Sequence, residues 1–365
     1  MKVLIIGNAN SIWVKNVIEK TYLPFGDKVS VLSSSNDVFS EYYKEHKVKI
    51  LEWRKRDSLK NFLHDYRCLA KCYDIVQVHF VRGDSSSMGR INRLFSKRLI
   101  LSFWGSDLFR AENADTRIKR ALNAASAITM STPEMEEKFH HLYGDRYDSK
   151  IHRLGFGVKG LDVLQAMKAE RSDLLHKYFI PENKVIISIG YNKSQAQQHV
   201  KVLDVIHSFS KDIQAKIHIV LRLTYGSCEP GYVEKIKCYL SKLDCTYSLF
   251  ENYLSDEEFA ELTILTDVFI HAQTSDAQSA SVSEHLYAGC LVLNPSWIKY
   301  SNLKDKVFYL SFNDFNDLGS LLSENIVSKA ESPYKDLLKE NSKRIYELCS
   351  WKTAVQKWRS VYSGK

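Results

Sequence analysis

Two acidic residues, Asp276 and Glu284, stand eight positions apart. Their carboxylates could accept paired hydrogen bonds from vicinal hydroxyl groups such as those of a sugar. A helix is predicted to begin between them at about Ser279, and the start of a helix offers unpaired N–H groups and a positive dipole end to an anion. An anion beside carboxylates that bind hydroxyls indicates a nucleotide sugar as the ligand.

The elements around the two acids are predicted to form a βαβ unit. An apolar strand at residues 267–271 leads into a loop of small and polar residues, the helix ends at Gly289, and a second strand covers residues 291–294. Strands joined by a crossover helix pair in parallel, and ligands usually bind at the carboxyl ends of such strands. The two acids are therefore expected at that edge of a parallel sheet.

The same alternation of strands and helices runs along the whole chain. The openings KVLIIGNAN at residues 2–10 and KVIISIGYN at residues 184–192 match in pattern and lie half a chain apart. The sequence predicts two Rossmann-like α/β domains facing one another, an N-terminal domain at residues 1–158 and a C-terminal domain at residues 159–345. Residues 346–365 include an amphipathic helix that needs an apolar surface to pack against.

The 365 residues carry a formal net charge of +8, which fits an anionic partner. Basic clusters at residues 54–56 and 90–98 are expected to be solvated, with an anionic membrane face as the alternative. The aromatic residues match no nucleic-acid signature, so no nucleic-acid partner is expected. With no signal peptide and no apolar run able to span a bilayer, we expect a cytoplasmic protein.

Neither a metal site nor a disulfide framework is predicted. The seven cysteines are odd in number and lack CxxC spacing. Asp84 and Asp276 are isolated acids, so no pair of aspartates in a metal-binding context stands out.

These features together resemble the GT-B glycosyltransferases, and among them the retaining family four. That family carries two acids eight positions apart followed by small residues, and here Tyr287-Ala288-Gly289 stands at the small-residue ending. The resemblance is closest over residues 267–295, looser over the rest of the second domain and only architectural before Ile100. It implies a GT-B fold with a cleft between the domains, and a C-terminal helix at residues 346–365 that packs back on the first domain.

The resemblance implies that Asp276 contacts the donor sugar as a catalytic residue and that Glu284 binds the ribose. Backbone amides near Ser279 would meet the donor. Asp276 replaces the family's usual Glu and is one methylene shorter, so the sugar or the acceptor geometry is expected to differ. The alternative for Glu284 is a surface acid that the helix dipole alone stabilises.

The loop after the second opening should bind the diphosphate, but the family's Arg is replaced by Tyr191 and Asn192. Lys193 could meet a phosphate as a point charge, as could Arg222 at the end of the next strand, and a solvated charge is the alternative for each. The strings GYN-x5-QH and TYG are also similar to those of fucosaminyl-transferase-like bacterial enzymes. The further candidate donor-binding residues are Asn192, Lys193, His199, Arg222 and Tyr225. The resemblance implies no metal and no other cofactor.

In the first domain, the string FWGSDLF stands where family members often carry a His-Gly-x-Asp-like string. Trp104 replaces the His, whereas Asp107 matches the acid and could orient the acceptor hydroxyl or accept its proton. A helix N-cap is the alternative for Asp107. His79, Asn8 and Asn10 are acceptor-contact candidates as well, against a satisfied core histidine and ordinary turn chemistry.

The expected activity is transfer of a sugar from a nucleoside diphosphate sugar to a glycan or lipid-linked acceptor in bacterial surface polysaccharide synthesis. The resemblance alone implies that the configuration of the transferred sugar is retained. The basic first half would suit peripheral contact with the cytoplasmic face of the inner membrane. The alternatives are a nucleotide-sugar epimerase or hydrolase on the same fold, and a binding protein without catalysis.

Overall fold

The computed structural model describes residues 1–53, 60, 64, 67, 71–327 and 333–364. The basic cluster predicted at residues 54–56 lies outside the described residues. The chain divides into two compact units, which are Met1–Gly157 with Trp351–Lys365 (unit 1) and Val158–Ser350 (unit 2).

Unit 1 is built on a parallel sheet of seven strands in the order β3-β2-β1-β4-β5-β6-β7. The strands are β1 (Lys2–Ile6), β2 (Lys28–Ser33), β3 (Lys49–Glu52), β4 (Ile75–His79), β5 (Arg98–Ser102), β6 (Ala127–Met130) and β7 (Ile151–Arg153). Most are apolar runs buried on both faces, as central strands of a parallel sheet are. The chain winds outward from β1 to β3 and then returns to β4, so β1 and β4 form the topological switch point.

The last helix of unit 1 is formed by the segment of the chain that follows unit 2. The α-helices are Ile12–Val17, Ser40–Glu45, Gly83–Arg93, Ser106–Phe109, Thr116–Ala124, Pro133–Tyr143 and Trp351–Ser363, and shorter helical turns cover Ile18–Tyr22, Leu23–Phe25 and Asp148–Lys150. In the last helix Trp358 is fully buried and its Nε1 donates to the Gly155 carbonyl at 3.2 Å. The Tyr362 ring stacks on Tyr22 with centroids 4.5 Å apart. The predicted packing of the C-terminal helix on the first domain is thus confirmed.

Unit 2 contains a parallel sheet of six strands in the order β10-β9-β8-β11-β12-β13. The strands are β8 (Val185–Ile189), β9 (Ile217–Arg222), β10 (Thr246–Phe250), β11 (Val268–Ile270), β12 (Leu291–Pro295) and β13 (Leu310–Phe312). Here the winding reverses between β10 and β11, so the switch point lies between the neighbouring strands β8 and β11. The predicted α/β class with two Rossmann-like domains is confirmed.

Unit 2 has helices before, between and after its strands. The helices are Lys159–Ala166, Arg171–Lys177, His199–His207, Lys211–Gln214, Tyr232–Leu240, Asp256–Leu265, Ala280–Tyr287, Phe315–Val327 and Lys335–Cys349, with a helical turn at Gln195–Gln197. The first two helices, Lys159–Ala166 and Arg171–Lys177, pack separately, with Leu164 in one apolar cluster and Leu174 in another. In the described part of the chain no helix combines the length and hydropathy needed to cross a membrane.

Candidate functional site

The two loops that leave the switch point of unit 2 are hydrogen-bonded to each other. After β8 and β11, the Thr274 amide donates to the Ala196 carbonyl at 3.0 Å, and Nε2 of Gln198 donates to the Ala272 carbonyl at 2.7 Å. The loops therefore form one wall at the carboxyl edge of the sheet. This is the edge at which ligands bind in open parallel sheets.

Gly190 makes the turn out of β8 with φ of +61°. A Cβ at this position would stand 2.9 Å from Oε1 of Gln197 and from Nε2 of His199. His199 is fully buried, its Nδ1 lies 3.1 Å from the Tyr232 hydroxyl, and burial lowers its pKa to about 4. At neutral pH the imidazole is therefore uncharged, so His199 would bring no positive charge to a diphosphate.

Glu284 is a buried acid in the second turn of the helix Ala280–Tyr287. The helix begins at Ser279, whose Oγ accepts the Val282 amide at 3.3 Å. Glu284 is 9 % exposed, and burial raises its pKa to about 7 although the charge of Arg222 opposes the rise. In the described chain no hydrogen-bond donor reaches its carboxylate. A surface acid, the alternative interpretation, does not describe this residue.

Arg222 at the end of β9 supplies the nearby positive charge. It is fully buried, with Nη1 donating to Oγ1 of Thr263 at 3.2 Å and Nη2 donating to Nε2 of His285 at 3.0 Å. Burial lowers the pKa of Arg222 to about 10, and the Glu284 charge opposes this effect. The guanidinium thus stays charged at neutral pH, beside Glu284 and inside the protein.

Asp276 lies in the loop after β11 and shares one oxygen between two neighbours. The Tyr300 hydroxyl donates to Oδ2 at 3.2 Å, and Nε2 of His271 lies 3.5 Å from the same oxygen. His271 directly follows β11 and is fully buried. Sequence reasoning missed both His271 and Tyr300. A polar residue at the end of the apolar run VFI was the available signal for His271.

Tyr225 shows that several predicted donor-binding residues lie close together. Its carbonyl accepts the Lys193 amide at 2.9 Å, which ties the loop after β9 to the loop after β8. Partial desolvation raises the pKa of Tyr225, although 52 % of the residue is exposed. The charges of Glu284 and Asp276 also raise it, while the Asn192 side chain and Arg222 lower it. The structure therefore brings the two acids, Asn192 and Tyr225 into one neighbourhood, with Lys193 half-buried beside them.

The predicted acceptor residues gather at the switch point of unit 1. Asp107 accepts the amides of Trp104 and Gly105 on Oδ1, each at 2.9 Å, and the amide of Val81 on Oδ2 at 2.8 Å. Burial raises the pKa of Asp107, although these hydrogen bonds oppose the rise. Both oxygens therefore join the loops that follow β4 and β5, and a part in proton transfer stays a prediction.

His79 and the two asparagines occupy the same edge of the sheet of unit 1. Nε1 of Trp104 donates to Nδ1 of His79 at 3.1 Å, and burial lowers the pKa of His79 to about 3. Oδ1 of Asn8 accepts the Asn10 amide at 3.0 Å, and Asn10 in turn bonds to Ser35 and to the Val38 amide. Turn chemistry accounts for these asparagine contacts.

The described residues contain no cluster of side chains suited to ligate a metal ion. No group of three or more His, Cys, Asp or Glu side chains there could hold a metal ion.

Comparison with known proteins gives similarity in structure only. No protein-family model matches the sequence, and the search of curated proteins finds no match. Among solved structures, a glycosyltransferase from Rickettsia africae matches with a TM-score of 0.79 at 14 % identity, over 99 % of this chain and 97 % of that one. Anabaena HepE in complex with UDP matches with a TM-score of 0.77 at 14 % identity, over 100 % of both chains.

A third similar structure is the sucrose-phosphate synthase of Thermosynechococcus elongatus. It matches with a TM-score of 0.69 at 11 % identity, over 100 % of both chains. These matches bear out the expected resemblance at the level of the fold, while membership of the retaining family four stays a prediction. The two units of this chain adopt the GT-B fold.

Proposed function

We propose that the protein is a glycosyltransferase that takes its sugar from a nucleoside diphosphate sugar bound by unit 2. The observation that carries the proposal is Glu284, a buried carboxylate with no hydrogen-bond donor in the described chain, placed beside Arg222 at the carboxyl edge of a parallel sheet. Burying such a group is unfavourable unless water, a ligand or a partner satisfies it. Ribose hydroxyls would supply the missing donors.

The second acid, Asp276, is suited to bind the donor sugar. Oδ2 of Asp276 is held by Tyr300 and faces His271, whereas Oδ1 has no hydrogen-bond partner among the described residues. A carboxylate oxygen in that state can accept a sugar hydroxyl. Asp276 would thus orient the donor sugar and take part in catalysis, with retention of configuration.

The leaving diphosphate would meet the loops at the switch point. The helix Ala280–Tyr287 points its N-terminus toward this edge, and Lys193 lies in the opposing loop. A helix N-terminus and a lysine both stabilise phosphate oxygens. Asn192, Tyr225 and Ser279 would add neutral hydrogen bonds, so the proposed chemistry needs no metal or other cofactor.

The acceptor would be a glycan or a lipid-linked saccharide of surface polysaccharide synthesis, bound by unit 1 in the cytoplasm. Asn8, Asn10, His79, Trp104 and Asp107 are the residues proposed to contact it. Peripheral contact with the inner membrane is supported by basic residues such as Arg90 and by the exposed Leu94. Apolar side chains beside basic ones suit an anionic lipid surface.

Thermal unfolding with UDP, GDP, dTDP and UDP-glucose tests the donor assignment. Binding at 100 times the dissociation constant stabilises the folded state by about 2.7 kcal/mol. Glu284→Gln should lose most of this stabilisation because the amide replaces one of the two acceptor oxygens with a donor NH2 group, which cannot bind a pair of ribose hydroxyls side by side. Glu182→Gln, at an exposed glutamate of the same unit, should keep it.

Three results would count against the proposal. If none of the three nucleotides stabilises the protein, unit 2 has no donor site of the proposed kind. If Glu284→Gln still binds the nucleotide, Glu284 does not have the assigned role. Rapid turnover of the nucleotide sugar by the protein alone would favour a hydrolase or an epimerase instead.

A further inference from the structure

Four residues of unit 2 form a polar chain that ends at the proposed sugar-binding acid. Nδ1 of His271 lies 2.9 Å from Oδ1 of Asn294, Nε2 of His271 lies 3.5 Å from Oδ2 of Asp276, and the Tyr300 hydroxyl donates to that oxygen at 3.2 Å. His271 and Asn294 stand at the carboxyl ends of the paired strands β11 and β12. No sequence pattern assigns a role to His271, Asn294 or Tyr300.

The hydrogen bonds of Asn294 fix which nitrogen of His271 carries a proton. Nδ2 of Asn294 donates to the carbonyls of Pro295 and Ile298 at 3.0 and 2.9 Å. Because carbonyls only accept, the amide cannot be flipped, and Oδ1 must be the atom that faces His271. Nδ1 of His271 is therefore the donor, and Nε2 is the nitrogen that faces Asp276.

A neutral ring in this tautomer would direct the lone pair of Nε2 at the carboxylate. Two acceptors facing each other 3.5 Å apart inside the protein repel, whereas a proton on Nε2 converts the contact into an attractive ion pair. His271 is fully buried and only 16 % of the Asp276 side chain is exposed, so water screens the contact weakly.

We propose that His271 is a positioning residue, which as an imidazolium holds Oδ2 of Asp276 and leaves Oδ1 for the donor sugar. The role of Oδ1 rests on the proposed function, whereas the ion pair does not. Tyr300 holds the same oxygen from a third segment, so the carboxylate is fixed from two sides. Such support from neighbouring side chains fixes the position of a group that contacts the substrate to within fractions of an ångström.

The other groups around His271 do not offer Nε2 a competing charge. Tyr191 lies parallel to the imidazole with ring centroids 6.2 Å apart, and Tyr300 lies 6.1 Å away on another side. Burial raises the pKa of both phenols above the ordinary tyrosine value, so both are neutral. His285, whose pKa burial depresses and which accepts from Arg222, is neutral as well.

Nitrogen-15 NMR of the histidine-labelled protein tests the ion pair without reference to activity. The His271 signals, identified by their loss in His271→Gln, should show protons on both ring nitrogens at neutral pH. In Asp276→Asn the signal of a proton on Nε2 should be lost at neutral pH, because the carboxylate that pairs with it is removed. A neutral ring in the wild type, protonated on either nitrogen alone, or a proton on Nε2 that persists in Asp276→Asn, would overturn the proposal.

Calorimetry with UDP and with UDP-glucose tests the consequence for the sugar. His271→Gln should bind UDP within about twofold of the wild type, yet lose about tenfold or more in the affinity for UDP-glucose relative to UDP, which is about 1.4 kcal/mol. The control is His218→Gln, at a buried histidine whose ring nitrogens are satisfied by Thr246 and Ser248. It should leave the ratio unchanged.

The two assays separate failure of this inference from failure of the proposed function. A wild-type protein that binds neither ligand overturns the donor assignment, and the NMR result then decides the ion pair alone. Equal losses of UDP and UDP-glucose in His271→Gln would indicate a structural role and overturn the positioning role.

Discussion

Gly160, in the helix Lys159–Ala166, lies directly against the carboxylate of Glu284, so closely that a Cβ at this position would overlap Oε1. Gly160→Ala should therefore displace the Glu284 side chain and weaken UDP binding by about tenfold or more, or 1.4 kcal/mol. Calorimetry measures the loss.

The matched control for this change is Gly319→Ala in the helix Phe315–Val327. There the nearest side-chain atom would be an ordinary 3.4 Å from the new Cβ. This variant should bind UDP normally and gain up to about 1 kcal/mol of stability from helix propensity. Normal binding by Gly160→Ala would show that the position of Glu284 does not matter.

The raised pKa of Glu284 predicts a pH-dependent stability of the ligand-free protein. Its folded-state pKa of about 7 lies above the ordinary value of 4.5, so the folded state binds the proton more tightly. The contribution of Glu284 protonation to the free energy of unfolding is fully present below pH 4.5 and is lost as the pH rises through about 7. Relative to the wild type, Glu284→Gln should gain about 2–3 kcal/mol in the free energy of unfolding between pH 5 and pH 8.

Urea unfolding of both proteins at the two pH values checks this. Glu182→Gln serves again as the control, because an exposed glutamate should show no such difference. A constant difference between Glu284→Gln and the wild type would mean that Glu284 titrates as an ordinary surface acid.

Gly190→Ala should destabilise unit 2 for two reasons. A side chain at φ of +61° is strained by about 1 kcal/mol, and the Cβ would also press on Gln197 and His199 at 2.9 Å. Gly26→Ala isolates the first cause, since Gly26 has φ of +69° and no atom within 4 Å of the new Cβ. In chemical denaturation, Gly190→Ala should be the more destabilised of the two, and equal losses would contradict the crowding at the switch point.

Trp358→Ala should destabilise unit 1 by about 3–5 kcal/mol, because the indole is fully buried in the core that includes Tyr22. Lys357→Ala, at the exposed neighbouring position, should change stability by no more than about 0.5 kcal/mol. Thermal unfolding followed by tryptophan fluorescence measures both. Similar melting temperatures would show that the helix Trp351–Ser363 contributes little to unit 1.

The strands were predictable because an apolar run in a parallel sheet is a local signal. The openings at residues 2–10 and 184–192 contain β1 and β8, the first strand of each sheet in the chain, and the amphipathic helix predicted within residues 346–365 is Trp351–Ser363.

The state of the candidate site could not be predicted, since it depends on residues far apart in the sequence. Glu284 is buried partly because Gly160, more than a hundred positions earlier, lies against it. The proton on His271 is fixed by an asparagine 23 positions later and by the backbone carbonyls around that asparagine. A sequence pattern shows residue types, whereas tautomers and desolvation depend on the folded surroundings.

Unit 1 is built from two separate segments of the chain, so it can complete its fold only after the second segment has been synthesised. The seven strands that the structure describes in unit 1 are translated by Arg153, whereas Trp358 and Tyr362 follow only after the whole of unit 2. Unit 2 is a single stretch that emerges whole in between. The surface around Tyr22 therefore stays uncovered during the synthesis of an entire domain, and the nascent chain exposes this apolar face to solvent until Trp358 and Tyr362 have emerged from the ribosome.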